Sequence, residues 1–325
     1  MDAQTYLAAL LAAPRPGTEN VLAFYDHRVG HICTDASLLL LPLDDHICHR
    51  GDGLFESISY RQGRLFSFDQ HLTRLKDGAA ALKITPPCSW DEVRAIILDV
   101  ARAAASDQGD MRVFLSRGPG GFGISPSECP QAGLYIVALR KNFAGEAFYA
   151  KGLTAFSSDI PPKQEYLARI KNTNYLPNVF MAMEAAQKGM DVAVTFDENG
   201  FLGEAATANV GLVDAHGSLL CPELRRILPG TTMLAALELA ARRCRREFFW
   251  HSSMGASLPP SRMAQARASA WSSSSRARRM GAPCSVQWRC SSGEAGPSVV
   301  CCRAISRTRI RGARLFSAYS PTEHP

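Results

Sequence analysis

Apolar positions recur at helical spacing over residues 69–82 and 90–105, and they run or alternate as strands do over 54–60, 65–68 and 111–116. These signals predict a small α+β domain over residues 1–141, whose last strand is expected at 134–139. A linker is expected at 142–150, ahead of a strand at 153–157. A second block opens on Leu167-Ala168-Arg169-Ile170-Lys171, passes through polar residues, and enters a helix with Leu176, Val179, Phe180, Met183 and Ala186 on one face. Pro177 fits the first turn of that helix. Residues 192–196 read as a strand, Asp197-Glu198-Asn199-Gly200 as a hairpin turn and Phe201 onward as the return strand; 210–213, 214–217 and 218–221 repeat the pattern. Glu204 is thereby placed on a sheet. Ile227-Leu228-Pro229-Gly230-Thr231-Thr232 leads into a helix with Leu234, Leu237 and Ala241 on one side, so the two threonines fall at its amino end. Residues 151–242 are thus expected to begin a second, larger domain.

The pattern fails after about residue 243. Residues 243–325 hold 16 Ser and 14 Arg but only two Leu, and show no sustained periodicity. The formal charge of +6 comes from this stretch: residues 1–242 carry 22 Lys+Arg against 27 Asp+Glu, whereas 243–325 carry 14 Arg, no Lys, no Asp and three Glu. A nucleic-acid-binding reading of the whole chain therefore fails. The abrupt exchange of Lys, Asp and Leu for Arg, Ser, Cys, Trp and Pro is what a GC-rich gene read in a shifted frame produces. A disordered Arg/Ser-rich tail and a genuine small domain are the alternatives.

No apolar run reaches the roughly 18 residues of a membrane span, and the apolar stretch 6–13 lacks a basic flank, so a cytoplasmic protein is expected. Half of the ten cysteines lie beyond residue 243, and Cys33, Cys48, Cys88, Cys129 and Cys221 have no metal-ligand or redox spacing. No metal is expected.

Three segments carry the chemistry. The first is His49-Arg50-Gly51-Asp52-Gly53-Leu54-Phe55-Glu56-Ser57-Ile58, followed by Gly63-Arg64-Leu65-Phe66 and His71-Leu72-Thr73-Arg74-Leu75. The second is Ile170-Lys171-Asn172-Thr173-Asn174-Tyr175-Leu176-Pro177-Asn178. The third runs from Gly200-Phe201-Leu202-Gly203-Glu204 through Asn209 to Leu228-Pro229-Gly230-Thr231-Thr232. In order and spacing they resemble the class IV aminotransferases, the group that includes branched-chain and D-amino-acid aminotransferases and 4-amino-4-deoxychorismate lyase. The resemblance spans about residues 22–242. It implies an α/β (α+β) fold of two domains, fold type IV, with pyridoxal 5'-phosphate at the domain interface, and a homodimer acting on small amino and 2-oxo acids.

Pyridoxal-phosphate chemistry needs a lysine amine that forms a Schiff base and then moves a proton. Of seven lysines, Lys76, Lys83, Lys141, Lys151, Lys163 and Lys188 lie in polar, turn-like or solvated-face contexts, while Lys171 ends an apolar stretch ahead of a helix. By its residues alone Lys171 is a surface lysine at a strand end; the resemblance makes it the cofactor lysine. The resemblance also sets Glu204 against the pyridine nitrogen, where a carboxylate favours the protonated ring. It places Tyr175 at the phenolic oxygen and Asn209 beside the cofactor. Arg74 with Gly230, Thr231 and Thr232 falls at the phosphate, where a helix amino end favours an anion. As residues alone, Glu204 is a strand carboxylate, Arg74 a helix-face charge and Thr232 an N-terminal cap. Gly118-Pro119-Gly120-Gly121-Phe122-Gly123 is no mononucleotide loop, because no Lys-Ser/Thr follows it. Arg117 before it either meets a substrate carboxylate or is a strand-end charge; Phe55 is the other substrate-binding candidate.

Three functions follow: amino-group transfer between an amino acid and a 2-oxo acid; release of pyruvate and 4-aminobenzoate from aminodeoxychorismate; or an inactive product lacking the C-terminal half of the larger domain.

Overall fold

The computed structural model describes residues 1–198, 200–213, 219–224 and 226–243, and the backbone of three short strands beyond them. The chain divides into two compact units, Met1–Asn142 with Ile170–Asn174, and Phe143–Arg169 with Tyr175–Pro325.

The first unit contains α1 (Ala3–Ala12), β1 (Val21–Asp26), β2 (His31–Cys33), α2 (His46–His49), β3 (Gly53–Arg61), β4 (Arg64–Leu65), α3 (Phe68–Leu82), α4 (Trp90–Ala103), β5 (Gln108–Ser116) and β6 (Gly133–Arg140). Its six strands form one antiparallel sheet in the order β2-β1-β6-β5-β3-β4. Alternation along the strands sorts the side chains. Leu54, Ile58 and Tyr60 of β3, Met111, Val113 and Leu115 of β5, and Leu134, Ile136 and Ala138 of β6 join Leu72, Leu75 and Ala79 of α3 and Val93, Ile97 and Val100 of α4 in one buried cluster. Glu56 interrupts that apolar series on β3. The intervening residues make polar contacts: Ser57 and Ser59 donate to Asp110 at 2.9 and 3.0 Å, and the buried Lys141 donates to Ser59 at 2.7 Å.

Helix α4 opens with a reciprocal cap. The Glu92 N–H donates to Ser89 Oγ and the Ser89 N–H to the Glu92 carboxylate, which satisfies two otherwise orphaned donors. The strand expected over 65–68 stops at Leu65, because Ser67 takes a left-handed conformation (φ 49°) that turns the chain into α3.

The second unit contains α5 (Glu146–Lys151), β7 (Thr154–Ser157), α6 (Glu165–Ala168), α7 (Leu176–Gln187), β8 (Val192–Phe196), β9 (Leu202–Ala205), β10 (Asn209–Val213), β11 (Leu219–Leu220), α8 (Thr231–Arg243), β12 (Val286–Trp288), β13 (Val299–Arg303) and β14 (Arg314–Ala318). The eight strands run β11-β10-β14-β13-β12-β7-β8-β9. Only the β7–β8 pair is parallel among the described pairs, and a parallel pair needs a crossover connection, which carries α7. Helix α5 occupies residues expected to be linker. Strands β12, β13 and β14 lie in the stretch where the sequence showed no periodicity. The out-of-frame or disordered reading of 243–325 otherwise falls on residues outside those described.

Helix α7 departs from its amphipathic pattern. Met181 and Ala185 pack with Phe156 and Ala193, and Asn178 is buried with them on the inward side. Leu176, Val179, Phe180 and Met183, the apolar stripe of the sequence, lie at the solvent surface. Among the described residues no helix is long and apolar enough to cross a membrane, and no His, Cys, Asp or Glu cluster is arranged to hold a metal ion.

Candidate functional site

Lys171 belongs to the first unit although the segments on either side of it belong to the second. Its own segment lies along the start of β3: the Phe55 N–H donates to the Lys171 carbonyl at 2.9 Å, the Thr173 N–H donates to the Gly53 carbonyl at 3.0 Å, and Leu54 pairs with Asn172 as an antiparallel bridge. Thr173 Oγ1 and Asn174 Nδ2 both donate to the Gly51 carbonyl. Gly51 has φ 63°, and a Cβ there would crowd Asn174 Oδ1 to 2.6 Å. The glycines of the Arg-Gly-Asp-Gly segment thus let the lysine segment approach closely. Lys171 Nζ stands 4.3 Å from the centre of the Phe55 ring, which stacks on Phe114 at 5.8 Å. Two sequence candidates, Lys171 and Phe55, are therefore brought together.

The next residue, Glu56, joins a third. Its carboxylate accepts from Arg74 Nε at 2.8 Å and Arg74 Nη2 at 2.7 Å, and lies 2.6 Å from His71 Nδ1. His71 and Arg74 are three residues apart on α3, so both point from one face of the helix toward the strand. Burial would push the Glu56 carboxyl up, but the hydrogen bonds and charges of Arg74 and then His71 outweigh it and hold the pKa at about 2. Glu56 is ionised at any ordinary pH.

Arg117 is committed elsewhere. It pairs side-on with Asp52 through Nε (2.9 Å) and Nη2 (3.1 Å), and donates to the Leu82 and Lys83 carbonyls at 2.8 and 2.9 Å. Those carbonyls lie at the end of α3, so Arg117 ties β5, the β3 entry and the helix terminus together. The sequence left Arg117 between a substrate carboxylate and a strand-end charge; this geometry supports neither and favours a structural clamp.

The second unit gathers Glu204, Asn209 and Gly230 around Leu228. The Leu228 N–H donates to Glu204 Oε2 at 3.1 Å, and Asn209 Nδ2 donates to the Leu228 carbonyl at 2.8 Å. One side chain from β9 and one from β10 thus hold both polar groups of a single residue just ahead of α8. A Cβ on Gly230 would collide with Asn209 Oδ1, so only glycine fits this path. Thr231 and Thr232 open α8, and the Leu234 N–H bonds back to the Gly230 carbonyl at 2.9 Å.

Thr195 of β8 fixes Glu204 in turn: its Oγ1 accepts from the Glu204 N–H at 3.1 Å and donates to the Glu204 carbonyl at 3.0 Å, where the β8–β9 register shifts. Gly203 leaves room for that hydroxyl. Sequence reasoning assigned Thr195 no role, since its partner is set by a cross-strand irregularity that periodicity does not reveal.

Tyr175 lies at the start of α7 with Lys163 Nζ 4.3 Å from its ring centre. Burial lowers the Lys163 pKa, and the Glu204 charge partly opposes the fall. Lys163 corrects the expectation of a polar, turn-like or solvated-face setting for every lysine except Lys171; Lys141 is buried but keeps polar partners in Ser59 and Asp110.

The profile of the family described as amino-transferase class IV matches residues 53–250, more than half of the chain. The chain belongs to that family. This class IV chain is 36% identical over 225 residues to a D-amino-acid transaminase, chloroplastic, of Arabidopsis thaliana, covering 69% of the chain but only 60% of that relative's length. It is 28% identical over 213 residues to a bifunctional aminodeoxychorismate lyase / D-amino acid transaminase of Mycobacterium tuberculosis, covering 62% of the chain and 73% of the relative. Among solved structures, a T.th. branched-chain amino acid aminotransferase complexed with N-(5'-phosphopyridoxyl)-L-glutamate superposes with a TM-score of 0.62 at 21% identity, covering 69% of the chain and 74% of its counterpart. At that identity the likeness establishes the fold.

Proposed function

We propose that this class IV chain is a pyridoxal-phosphate enzyme that moves an amino group between an amino acid and a 2-oxo acid. The observation that carries the reading is the clamping of Lys171 against β3 by main-chain hydrogen bonds, with its amine over the Phe55 ring. A catalytic amine needs a fixed backbone and an apolar neighbour that does not compete for it.

The residues fit the cofactor on their own chemistry. The cradle at Gly230, which a side chain would fill, precedes a 13-residue helix whose amino end favours a phosphate. By the family resemblance, Arg74 of the first unit and Gly230, Thr231 and Thr232 of the second are the residues that would hold a phosphate, and Asn209 would keep the loop in shape. Glu204 would face the ring nitrogen and Tyr175 the phenolic oxygen; Lys171 would hold the aldehyde carbon. The cofactor, when bound, supplies an aldehyde that condenses with amines and a ring that withdraws electrons from the substrate α-carbon. Lys171 Nζ would take the substrate α-proton and return it, the general-base and general-acid role. Glu204 would favour the protonated ring nitrogen. Phe55 would form an apolar wall for the substrate side chain. Arg117, tied to Asp52, is not assigned to the substrate carboxylate.

The test is incubation of purified protein with a panel of L- and D-amino acids and 2-oxoglutarate. Formation of the donor's keto acid with glutamate supports transfer. The Mycobacterium relative's name favours one alternative, release of 4-aminobenzoate and pyruvate from aminodeoxychorismate, and that product without keto-acid exchange would replace the transfer reading. We further propose a homodimer, on the strength of the family resemblance; a monomeric mass by analytical ultracentrifugation at micromolar concentration would refute it.

A further inference from the structure

The three-way contact of Glu56, His71 and Arg74 has no part in the reading above beyond Arg74 itself, yet it sits where an apolar residue would pack better. Glu56 is placed on β3 between Leu54 and Ile58, in the face that otherwise builds the hydrophobic core, and is 1% exposed. Burying a carboxylate and a guanidinium costs desolvation that their attraction often fails to repay, so such a pair is weak evidence for a stability role. What a carboxylate at this position does achieve is orientation. A two-point pair through Nε and Nη2 fixes the plane of the guanidinium and its rotation about the side-chain axis. His71 Nδ1, on the same carboxylate at 2.6 Å, fixes the carboxylate in turn.

We propose that Glu56 is a positioning residue for anion binding: it holds the Arg74 guanidinium in the attitude from which it grips the cofactor phosphate. The proposal rests on the reading of Arg74 as the phosphate arginine. It connects the two sides of one strand, because Phe55 meets the Lys171 amine while the adjacent Glu56 steers Arg74. A shift of β3 by one residue would undo both together.

The test compares apo-protein binding of pyridoxal 5'-phosphate with binding of pyridoxal, which lacks the phosphate, by titration of intrinsic fluorescence. Glu56→Gln keeps the shape but removes the charge that orders Arg74. It should weaken pyridoxal 5'-phosphate binding by about tenfold or more while moving pyridoxal by less than about twofold. Glu56→Asp keeps the charge on a shorter arm and should lose a smaller part of the same preference; it carries the test if Glu56→Gln does not fold. Equal weakening for both ligands in either variant would mean that Glu56 only packs, and unchanged binding would mean it does nothing; both overturn the proposal. Arg74→Met separates the two levels. If Arg74→Met leaves the preference for the phosphorylated ligand intact, the phosphate role of Arg74 is itself wrong. If it abolishes the preference and Glu56→Gln does not touch it, only the positioning role is wrong.

Discussion

Lys171 and Lys163 show what a residue's neighbours in sequence can and cannot reveal. Lys171 was singled out by the motif around it, whereas the burial of Lys163 against Tyr175 depends on segments twelve residues apart meeting in space. Lys141 is the same case, since its amine, just past β6, reaches Ser59 of β3 across β5. Arg117 was open in the sequence between substrate ligand and surface charge, and its four hydrogen bonds support a third role as a clamp on Asp52 and the end of α3. Replacing it with Met should therefore cost about 2 to 3 kcal/mol in urea unfolding, as expected for charge-assisted bonds lost from a partly buried group. In an active preparation the KM ratio between donors of different charge should stay within about twofold. A selective rise in KM for dicarboxylic donors with no loss of stability would return Arg117 to the substrate.

Glu56 carries the pH dependence at this scale. Its folded pKa of about 2 lies below the ordinary 4.5, so its ion pairs add stability that is complete above pH 4.5 and is lost as pH falls toward 2. Glu56→Gln should flatten the acid limb of stability between about pH 4.5 and 2, read from urea midpoints across that range. A variant whose acid limb matches the parent's would show that the pairing does not persist in solution.

Among the elements, long periodic segments were legible and their ends less so. The strand expected at 192–196 is β8, and the turn after it closes as expected, with the Asp197 N–H on the Phe201 carbonyl at 2.9 Å. Local chemistry decided those cases. The strand expected at 65–68 failed on the left-handed Ser67, a conformation that serine seldom signals. Helix α7 is more instructive: periodicity located a real apolar stripe, but the side that packs is marked by Met181 and Ala185, which meet Phe156 of β7 and Ala193 of β8. Met181→Ala should cost about 2 to 4 kcal/mol, and Val179→Ala on the exposed stripe less than about 0.5 kcal/mol. Comparable losses from the two substitutions would mean that the stripe is covered in solution.

For the whole molecule, the sequence suggested one passage from a first domain to a second, but the chain returns: Ile170–Asn174 packs with the first unit before Tyr175 rejoins the second. A hydropathy profile cannot show this, because the return is made through main-chain bonds to β3. The family match ends at residue 250, and the composition changes near residue 243. We expect one of the two alternative reading frames of the coding DNA beyond that codon to continue a helix-and-strand pattern; two frames without one would remove the frameshift explanation.

The measurement that bears most directly on the account is borohydride reduction of the full chain loaded with pyridoxal 5'-phosphate, followed by peptide mapping. A phosphopyridoxyl group on Lys171 is the predicted result, abolished in Lys171→Ala. A stable adduct on Lys163 or another lysine of the folded protein, with Lys171 unmodified, would contradict it.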